Sequence, residues 1–320
     1  MTDRPPPDAR VPLRLAVIHE TLYRYAAPVL QSRQLLHLTP RALPHQRVVT
    51  HRIRIEPAPA EQGEGDDFFG NRIVRALIGA PHRALEIHAA SVVDVGPRGD
   101  PQDLRTPPDL ARLRAALAAP ADAATLEAAR FAFESPHVPF DPAVRTYAAP
   151  SFAGRAPLPE ALADLSRRIH RDFEFDPAAT TVATPLAEVI ALRRGVCQDF
   201  AHLMIGCVRA QGLAARYVSG YLLTAPPPGQ ARLIGSDASH AWVAVYCPGA
   251  DGQGAHWLEF DPTNDCRAGT GHVTLGWGRD FSDVTPTRGV LLGGGTQTLE
   301  VRVTVTPAPD QATAGYAAGT

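Results

Sequence analysis

Residues 195–212 have the sequence GVCQDFAHLMIGCVRAQG, which predicts a buried helix that begins beside a cysteine. Its apolar positions recur at helical spacing, and they are Phe200, Leu203, Met204, Cys207 and Val208. The pattern stops at Gly212, a residue type that often follows a helix end. The spacing therefore puts Cys197 in the first turn and Cys207 in the buried stripe, where a thiol is usually inert.

A cysteine at the start of a helix is well placed to act as a nucleophile. The thiolate is the reactive form, and an unperturbed thiol has a pKa of roughly 8.5. The unpaired N–H groups and the dipole of a helix N-terminus favour negative charge there. A neighbouring imidazole favours it further by forming a thiolate–imidazolium pair. Cys197 is therefore our candidate nucleophile, with its own backbone N–H as one donor to an oxyanion.

Two later strands supply the partners that such a nucleophile needs. His240 begins a strand-like run at 239–247, and Asp261 follows another at 255–260. Adjacent strands would bring the two side chains together, so that the carboxylate fixes the tautomer of the imidazole. Singly, each residue has an ordinary structural alternative: a core thiol, a core histidine and a turn aspartate. Together, Cys197, His240 and Asp261 predict a catalytic triad that attacks amide carbonyls.

Three short motifs carry these residues in order, and they are GVCQDF at 195–200, SHAWV at 239–243 and FDPTN at 260–264. They resemble the core motifs of the bacterial transglutaminase-like family, which is described as cysteine proteases of the papain-like superfamily. The segments HETLYRY at 19–25 and GRDFSDV at 278–284 fit the same resemblance. It implies an α+β fold in which a helix-borne cysteine packs on an antiparallel sheet, preceded by a small antiparallel β domain. It does not fix the reaction, because the fold hosts proteases, deamidases, transamidases and inactive members.

Five residues near the motifs are candidates for the substrate pocket or for support of the triad: Gln198, Asp199, Trp242, Asn264 and Arg279. Asp199 has two interpretations, a partner of the helix dipole or part of the substrate groove. Arg279 is expected to pair with Asp280 beside the site. His202 follows Cys197 by five positions and so points about 140° away from it on a helix, which predicts a structural role.

Trp242 shares the face of its strand with His240 and Tyr246, because alternate residues of a strand point the same way. The two aromatic residues are therefore expected either to line the pocket or to pack the core.

The pattern along the chain predicts several regions. Apolar and polar residues alternate from Leu13 onward, which is typical of strands, and helical spacing takes over after the Pro- and Gly-rich stretch near 100. The predicted regions are a disordered lead at 1–11, a β domain at 12–96, a linker and helical segment at 97–157, a catalytic core at 158–306 and a flexible tail at 307–320.

The composition excludes some classes of function. A net charge of -2 and a pI near 6.6 argue against nucleic acid or an anionic membrane as the partner. The four cysteines form no C-x-x-C pair, so we expect neither a structural metal site nor any cofactor. No apolar run is long enough to span a bilayer. We expect a cytoplasmic enzyme with a peptide or protein substrate.

Three functions are open at this point. Hydrolysis of an amide through a thioester on Cys197, by a protease, peptidase or amidase, is favoured because nothing marks a dedicated amine site. Transamidation or deamidation of glutamine side chains is the alternative, and a catalytically silent binding scaffold is another. No tryptophan occurs in the roughly 40 residues before Cys197, where animal-type crosslinking transglutaminases carry one. The 31 basic residues are all arginine, so the chain offers no lysine of its own as acyl acceptor.

Overall fold

The computed structural model describes residues 11–98, 109–154, 156–224, 239–248 and 255–308. The N-terminal region forms five strands: β1 (Leu13–Leu36), β2 (Gln46–Glu56), β3 (Glu61–Asp66), β4 (Arg72–Ile78) and β5 (His82–Val95). They make one antiparallel sheet in the order β2-β5-β1-β4-β3. Alternate residues of β5 are buried, as expected where one face of a sheet covers a core.

Within the described residues, six α-helices follow: α1 (Leu110–Ala118), α2 (Ala123–Ala129), α3 (Pro142–Ala148), α4 (Leu158–Asp172), α5 (Leu186–Leu192) and α6 (Cys197–Arg209). The two-residue strands β6 (Glu174–Phe175) and β7 (Arg194–Gly195) pair in parallel on either side of α5. The first three helices fall in the predicted linker and helical segment. They pack into the same hydrophobic core as α6, so this segment is part of the core packing and does not merely connect two units.

The second sheet carries the strands predicted to hold the triad. Its members are β8 (Ala215–Leu222), β9 (Ser239–Pro248), β10 (Ala255–Asp261), β11 (Cys266–Arg267) and β12 (His272–Gly278). All neighbours are antiparallel, in the order β11-β10-β9-β8-β12. The apolar stripe of α6 packs against this sheet, and Leu203 and Met204 are fully buried there. The predicted α+β class, with a helix-borne cysteine on an antiparallel sheet, is confirmed.

The last two strands correct the predicted boundary of the core. Strands β13 (Thr287–Gly293) and β14 (Gln297–Pro307) pair with β1, so they belong to the N-terminal sheet and not to a core that extends to residue 306. At 24 residues β1 is long enough to accept β14 along its first half and β13 along its second. The chain therefore returns to its first sheet, a pairing between distant segments that local sequence patterns do not reveal.

Two amide side chains join the sheets. Gln46 donates to the carbonyl of Thr274 at 2.7 Å and accepts from its N–H at 2.8 Å. Asn71 bonds Trp277 in the same two-way manner, at 2.8 and 2.9 Å. Both amides are almost fully buried. They satisfy backbone groups along β12, the edge strand of the second sheet, as a neighbouring strand would.

Two of the predictions concern the ends of the chain. Residues 1–10 of the predicted disordered lead and 309–320 of the predicted tail lie outside the described residues, whereas Pro307 is the last residue of β14. Among the helices of the described ranges, none has the length and hydropathy that crossing a bilayer requires.

Candidate active site

Cys197 is the first residue of α6, and the loop before it is held by Asp199. The Asp199 carboxylate accepts hydrogen bonds from Val196 N at 2.8 Å and Thr180 Oγ1 at 2.7 Å. A Cβ on Gly195 would lie 2.6 Å from Asp199 Oδ2, so only glycine allows this approach. Burial raises the pKa of Asp199 despite these two bonds. Of the two interpretations of Asp199, its position supports the one at the helix terminus.

His240 and Asp261 lie on the neighbouring strands β9 and β10. Their side chains are joined by a hydrogen bond of 2.7 Å between His240 Nε2 and Asp261 Oδ2. The Sγ atom of Cys197 is 4.0 Å from the carbonyl oxygen of Ser239, the residue before the histidine. Cys197 lies close enough to His240 to raise the pKa of the imidazole, whose Nε2 is bonded to Asp261. The structure thus brings the three predicted triad residues together.

The electrostatics favour a charged imidazole at this position. Burial lowers the pKa of His240, but the charge and hydrogen bond of Asp261, together with Cys197, raise it overall to about 10. The raised pKa makes the neutral imidazole a strong proton acceptor, and the Cys197 thiol lies beside it. Proton transfer from thiol to imidazole would form the ion pair that activates a cysteine nucleophile.

Asp261 is completely buried and remains ionised because several donors surround it. Burial would raise its pKa, but the charge of His240 and the hydrogen bonds of His240 and His272 bring the pKa far below its usual value. Its Oδ2 accepts from His240 Nε2 at 2.7 Å, Asn264 Nδ2 at 2.7 Å and His272 Nε2 at 3.2 Å. Its Oδ1 accepts from Thr263 N at 3.0 Å and Asn264 N at 3.3 Å. Asn264, a predicted candidate, therefore supports the carboxylate.

His272, in β12, is a member of this cluster that the sequence analysis did not identify. It is one of 12 histidines, and no local pattern around it points to the site. Its Nδ1 accepts from Gly269 N at 3.1 Å, so the ring proton must sit on Nε2, which faces Asp261. Burial lowers its pKa below the ordinary value in spite of Asp261, so the ring is neutral.

The side chains of His240, Asp261 and His272 could in principle hold a metal, since their ligand atoms lie within 4.8 Å of one another. The hydrogen bonds argue against that function. The proton on His272 Nε2 occupies the lone pair that a cation would need, and Asp261 already accepts five bonds. The donor set therefore fits a hydrogen-bond network and does not fit a metal centre.

Trp242 is fully buried and lies beneath the site. Its ring centroid is 6.1 Å from that of His240 and 5.2 Å from that of His272. Its Nε1–H donates to Glu259 at 2.6 Å, and Glu259 pairs with Arg98 at 3.2 Å. Of the two expected positions, pocket wall or core, Trp242 takes the core.

Tyr246 is also buried in the core, where its hydroxyl lies 3.2 Å from Thr125 Oγ1. Gln198 is half-buried in the first turn of α6, next to Cys197. Tyr246 therefore belongs to the core, whereas the polar side chain of Gln198 lies next to Cys197.

The expected ion pair between Arg279 and Asp280 is wrong. Arg279 makes a bidentate pair with Asp283, with both distances at 2.9 Å. Asp280 instead turns inward, is fully buried and accepts from His137 N at 2.8 Å. The carboxylate of Asp283, four residues later, lies within reach of the half-exposed Arg279 guanidinium, whereas that of Asp280 is buried in the core.

His202 lies on the side of α6 that faces away from the triad, as its spacing predicts. Its ring stacks on His137 at 5.3 Å, and its Nε2 accepts from Phe281 N at 3.2 Å. Burial lowers its pKa to about 3, so the ring is neutral. It packs the core and does not serve as the base for Cys197.

Both regions of the chain resemble known proteins. Residues 15–94 match the family model for the bacterial transglutaminase-like N-terminal region, and residues 145–262 match that for the transglutaminase-like superfamily. An uncharacterized protein of Mycobacterium tuberculosis is 43% identical over 300 residues, which cover 92% of this chain and 93% of that protein. Another, from Mycobacterium leprae, is 29% identical over 298 residues, covering 92% of this chain and 98% of the relative.

A solved structure shares the fold. The crystal structure of a putative cysteine protease from Cytophaga hutchinsonii superposes with a TM-score of 0.71 at 20% identity, covering 94% of this chain and 92% of that one. Both sheets and the helices between them are thus part of one shared architecture. With family matches in both regions and a relative of 43% identity along nearly its whole length, the chain belongs to the bacterial transglutaminase-like family.

Proposed function

We propose that this chain is a cysteine-dependent enzyme that hydrolyses peptide or side-chain amide bonds through a thioester on Cys197. The observation that carries the proposal is the hydrogen bond of 2.7 Å between His240 Nε2 and Asp261, with Cys197 close enough to His240 to raise the pKa of the ring. His240 thus has beside it both the carboxylate and the thiol that nucleophilic catalysis requires.

The first half of the reaction forms the thioester. The Cys197 thiolate adds to the amide carbonyl carbon, and the π electron pair moves onto the oxygen. N–H groups in the first turn of a helix have no partner within the helix, so that of Cys197 can donate to this oxyanion. The C–N bond then breaks as His240 gives its Nδ1 proton to the leaving amine.

The second half releases the product. Neutral His240 takes a proton from water, whose oxygen attacks the thioester carbon. The C–S bond breaks, which leaves a carboxylic acid and restores the thiolate–imidazolium pair. Asp261 accepts a hydrogen bond from the Nε2–H of His240 throughout, so it orients the ring and stabilises its charged form.

A peptide library offers the most general test, because the proposal specifies a class of bond and no single substrate. The full-length enzyme is incubated with a library of tryptic or random peptides, with and without a labelled primary amine. Mass spectrometry then detects new termini, deamidated glutamine and amine adducts. The proposal predicts new termini or free acids that Cys197→Ala does not produce.

Each other result has a defined meaning. Adducts of the amine on glutamine would show transamidation in place of hydrolysis. Glutamate in place of glutamine, without new termini, would show that the hydrolysed bond is a side-chain amide. The same products from Cys197→Ala would refute the thioester mechanism. A control variant, Cys266→Ala, removes the other half-buried thiol and should leave the product pattern unchanged.

A further inference from the structure

We propose that His272 is a positioning residue of this site, a second imidazole donor that fixes the Asp261 carboxylate for His240. The inference rests on the proposed function and extends it to a residue outside the three motifs. Its Nε2 lies 3.2 Å from the same Asp261 Oδ2 that accepts from His240 at 2.7 Å. Two imidazoles on different strands thus share one carboxylate oxygen.

The direction of this hydrogen bond is determined by the surroundings of His272. The backbone N–H of Gly269 can only donate, so Nδ1 of His272 must accept and Nε2 must carry the proton. The neutral ring therefore donates to Asp261 and cannot compete with it for the proton of His240. It adds a fixed dipole beside the carboxylate and adds no positive charge.

The position of His272 is held from the N-terminal region. Arg98, a few residues after β5, donates to the carbonyl of Gly269, to the carbonyl of His272 at 3.1 Å and to Thr274 Oγ1 at 3.3 Å. Its guanidinium also pairs with buried Glu259 at 3.2 Å. A single buried side chain therefore fixes both ends of the turn that presents His272, and the N-terminal sheet contributes to the geometry of the site.

The charged and titratable neighbours of this pair come from every packed element. For Asp261 and His272 they are His240 on β9, Cys197 on α6 through His240, Cys266 on β11, Arg98 after β5 and Glu259 on β10 through Arg98. The described carboxylates nearby are Glu259, which pairs with Arg98, and Asp265, which acts on Cys266. From α4, His170 bonds the carbonyl of Thr263 at 2.9 Å. After the charge and hydrogen bond of His240, the hydrogen bond of His272 therefore helps to keep Asp261 ionised against its complete burial.

Removal of this donor has a measurable consequence. A hydrogen bond to a charged group contributes enough to shift a coupled titration by about one pH unit. With the donor lost, Asp261 stays ionised but is held by fewer bonds, so it orients the His240 ring less well and the imidazolium stabilises the Cys197 thiolate less. The pH of half-maximal alkylation of Cys197 should therefore rise.

The experiment compares iodoacetamide labelling of Cys197 across pH in wild type, His272→Leu and His272→Gln, with tryptophan fluorescence confirming the folded state at each pH. The glutamine amide keeps an N–H near the position of Nε2, whereas leucine does not. We expect the midpoint to rise by about one unit in the leucine variant and to stay close to wild type in the glutamine variant. His82→Leu is the matched control, because His82 is a buried imidazole bonded to the carbonyl of Ala80 in the N-terminal sheet.

Nitrogen-15 NMR of histidine-labelled wild type checks the premise directly, with His272 expected as the neutral Nε2–H tautomer. A Nδ1–H tautomer would overturn the inference. So would equal midpoints in wild type and His272→Leu, or a shift as large in His272→Gln as in His272→Leu. If wild-type Cys197 itself labels like a free thiol, with a midpoint near pH 8.5, the proposed function fails and the inference fails with it.

Discussion

The side-chain amide of Asn71 bonds both backbone groups of Trp277, at 2.8 Å to its carbonyl and 2.9 Å from its N–H. Gln46 does the same at Thr274, also with the amide almost fully buried. The N-terminal sheet therefore completes the hydrogen bonds of β12, the strand that carries His272. We therefore expect the two sheets to unfold together.

Asn71→Leu should destabilise the protein by about 2–4 kcal/mol, because two buried backbone groups of Trp277 lose their partner. Urea unfolding followed by tryptophan fluorescence measures the change in midpoint. Gln62→Leu, at an exposed position of β3, is the control and should change the free energy of unfolding by no more than about 0.5 kcal/mol. Equal effects from the two variants would contradict the role of the amide.

A truncated chain that starts near residue 109 should not fold cooperatively. It lacks β1, the partner of both β13 and β14, and it uncovers Val303 and Val305, which are buried in one cluster with Leu15 and Val17 of β1. Calorimetry of the truncated chain should show no sharp unfolding transition. A transition like that of the full chain would mean that the N-terminal sheet is dispensable for the catalytic core.

Gly195→Ala should disturb the start of α6. The new Cβ would lie 2.6 Å from Asp199 Oδ2, which would push away the carboxylate that holds Val196 N. We expect a loss of about 1–3 kcal/mol in stability and slower alkylation of Cys197. Gly63→Ala is the matched control, since a Cβ there has no neighbour within 4 Å. If Cys197 were labelled as fast in Gly195→Ala as in wild type, the bond between Asp199 and Val196 N would not position Cys197.

Stability should fall as the pH drops from 6.5 to 5. Burial lowers the pKa of His19 to about 4 and that of His202 to about 3, so the unfolded chain binds protons in this range and the folded one does not. Each ring accounts for up to about 2 kcal/mol of the loss at pH 5. The raised pKa of His240 contributes stability that is complete below 6.5 and lost towards pH 10, so it does not oppose this trend.

Thermal unfolding at several pH values measures the slope. His19→Gln keeps a hydrogen-bonding side chain near Tyr221 but removes one titrating group, so its stability should depend less steeply on pH than that of wild type. A stability that stays constant from pH 7 to pH 5 would contradict the neutral state of these two histidines.

The sequence predicts the nucleophile, its base and their carboxylate because each lies in a short motif whose residue types perform chemistry. The helix that starts at Cys197 and the strands that carry His240 and Asp261 also follow from local periodicity. These features depend on neighbours within a few positions, where pattern and propensity are informative.

The features of the fold and the site that could not be predicted depend on contacts between distant segments. His272 acquires its role from a turn held by Arg98, which lies more than 170 residues earlier in the chain. The return of β14 to β1 and the choice of Asp283 over Asp280 by Arg279 likewise depend on which groups the folded core leaves accessible. No local pattern encodes such choices.

The reactivity of Cys197 at mildly acidic pH tests the central claim most directly. Iodoacetamide labelling at pH 6, with each modified cysteine located by mass spectrometry, compares wild type with His240→Ala. Burial raises the pKa of Cys266 to about 12, so this half-buried thiol serves as an internal control in the same sample. The account predicts fast labelling of Cys197 in wild type, much slower labelling in His240→Ala, and none of Cys266. Labelling of Cys197 that rises only near pH 8.5 in both proteins would contradict it and favour a catalytically silent scaffold.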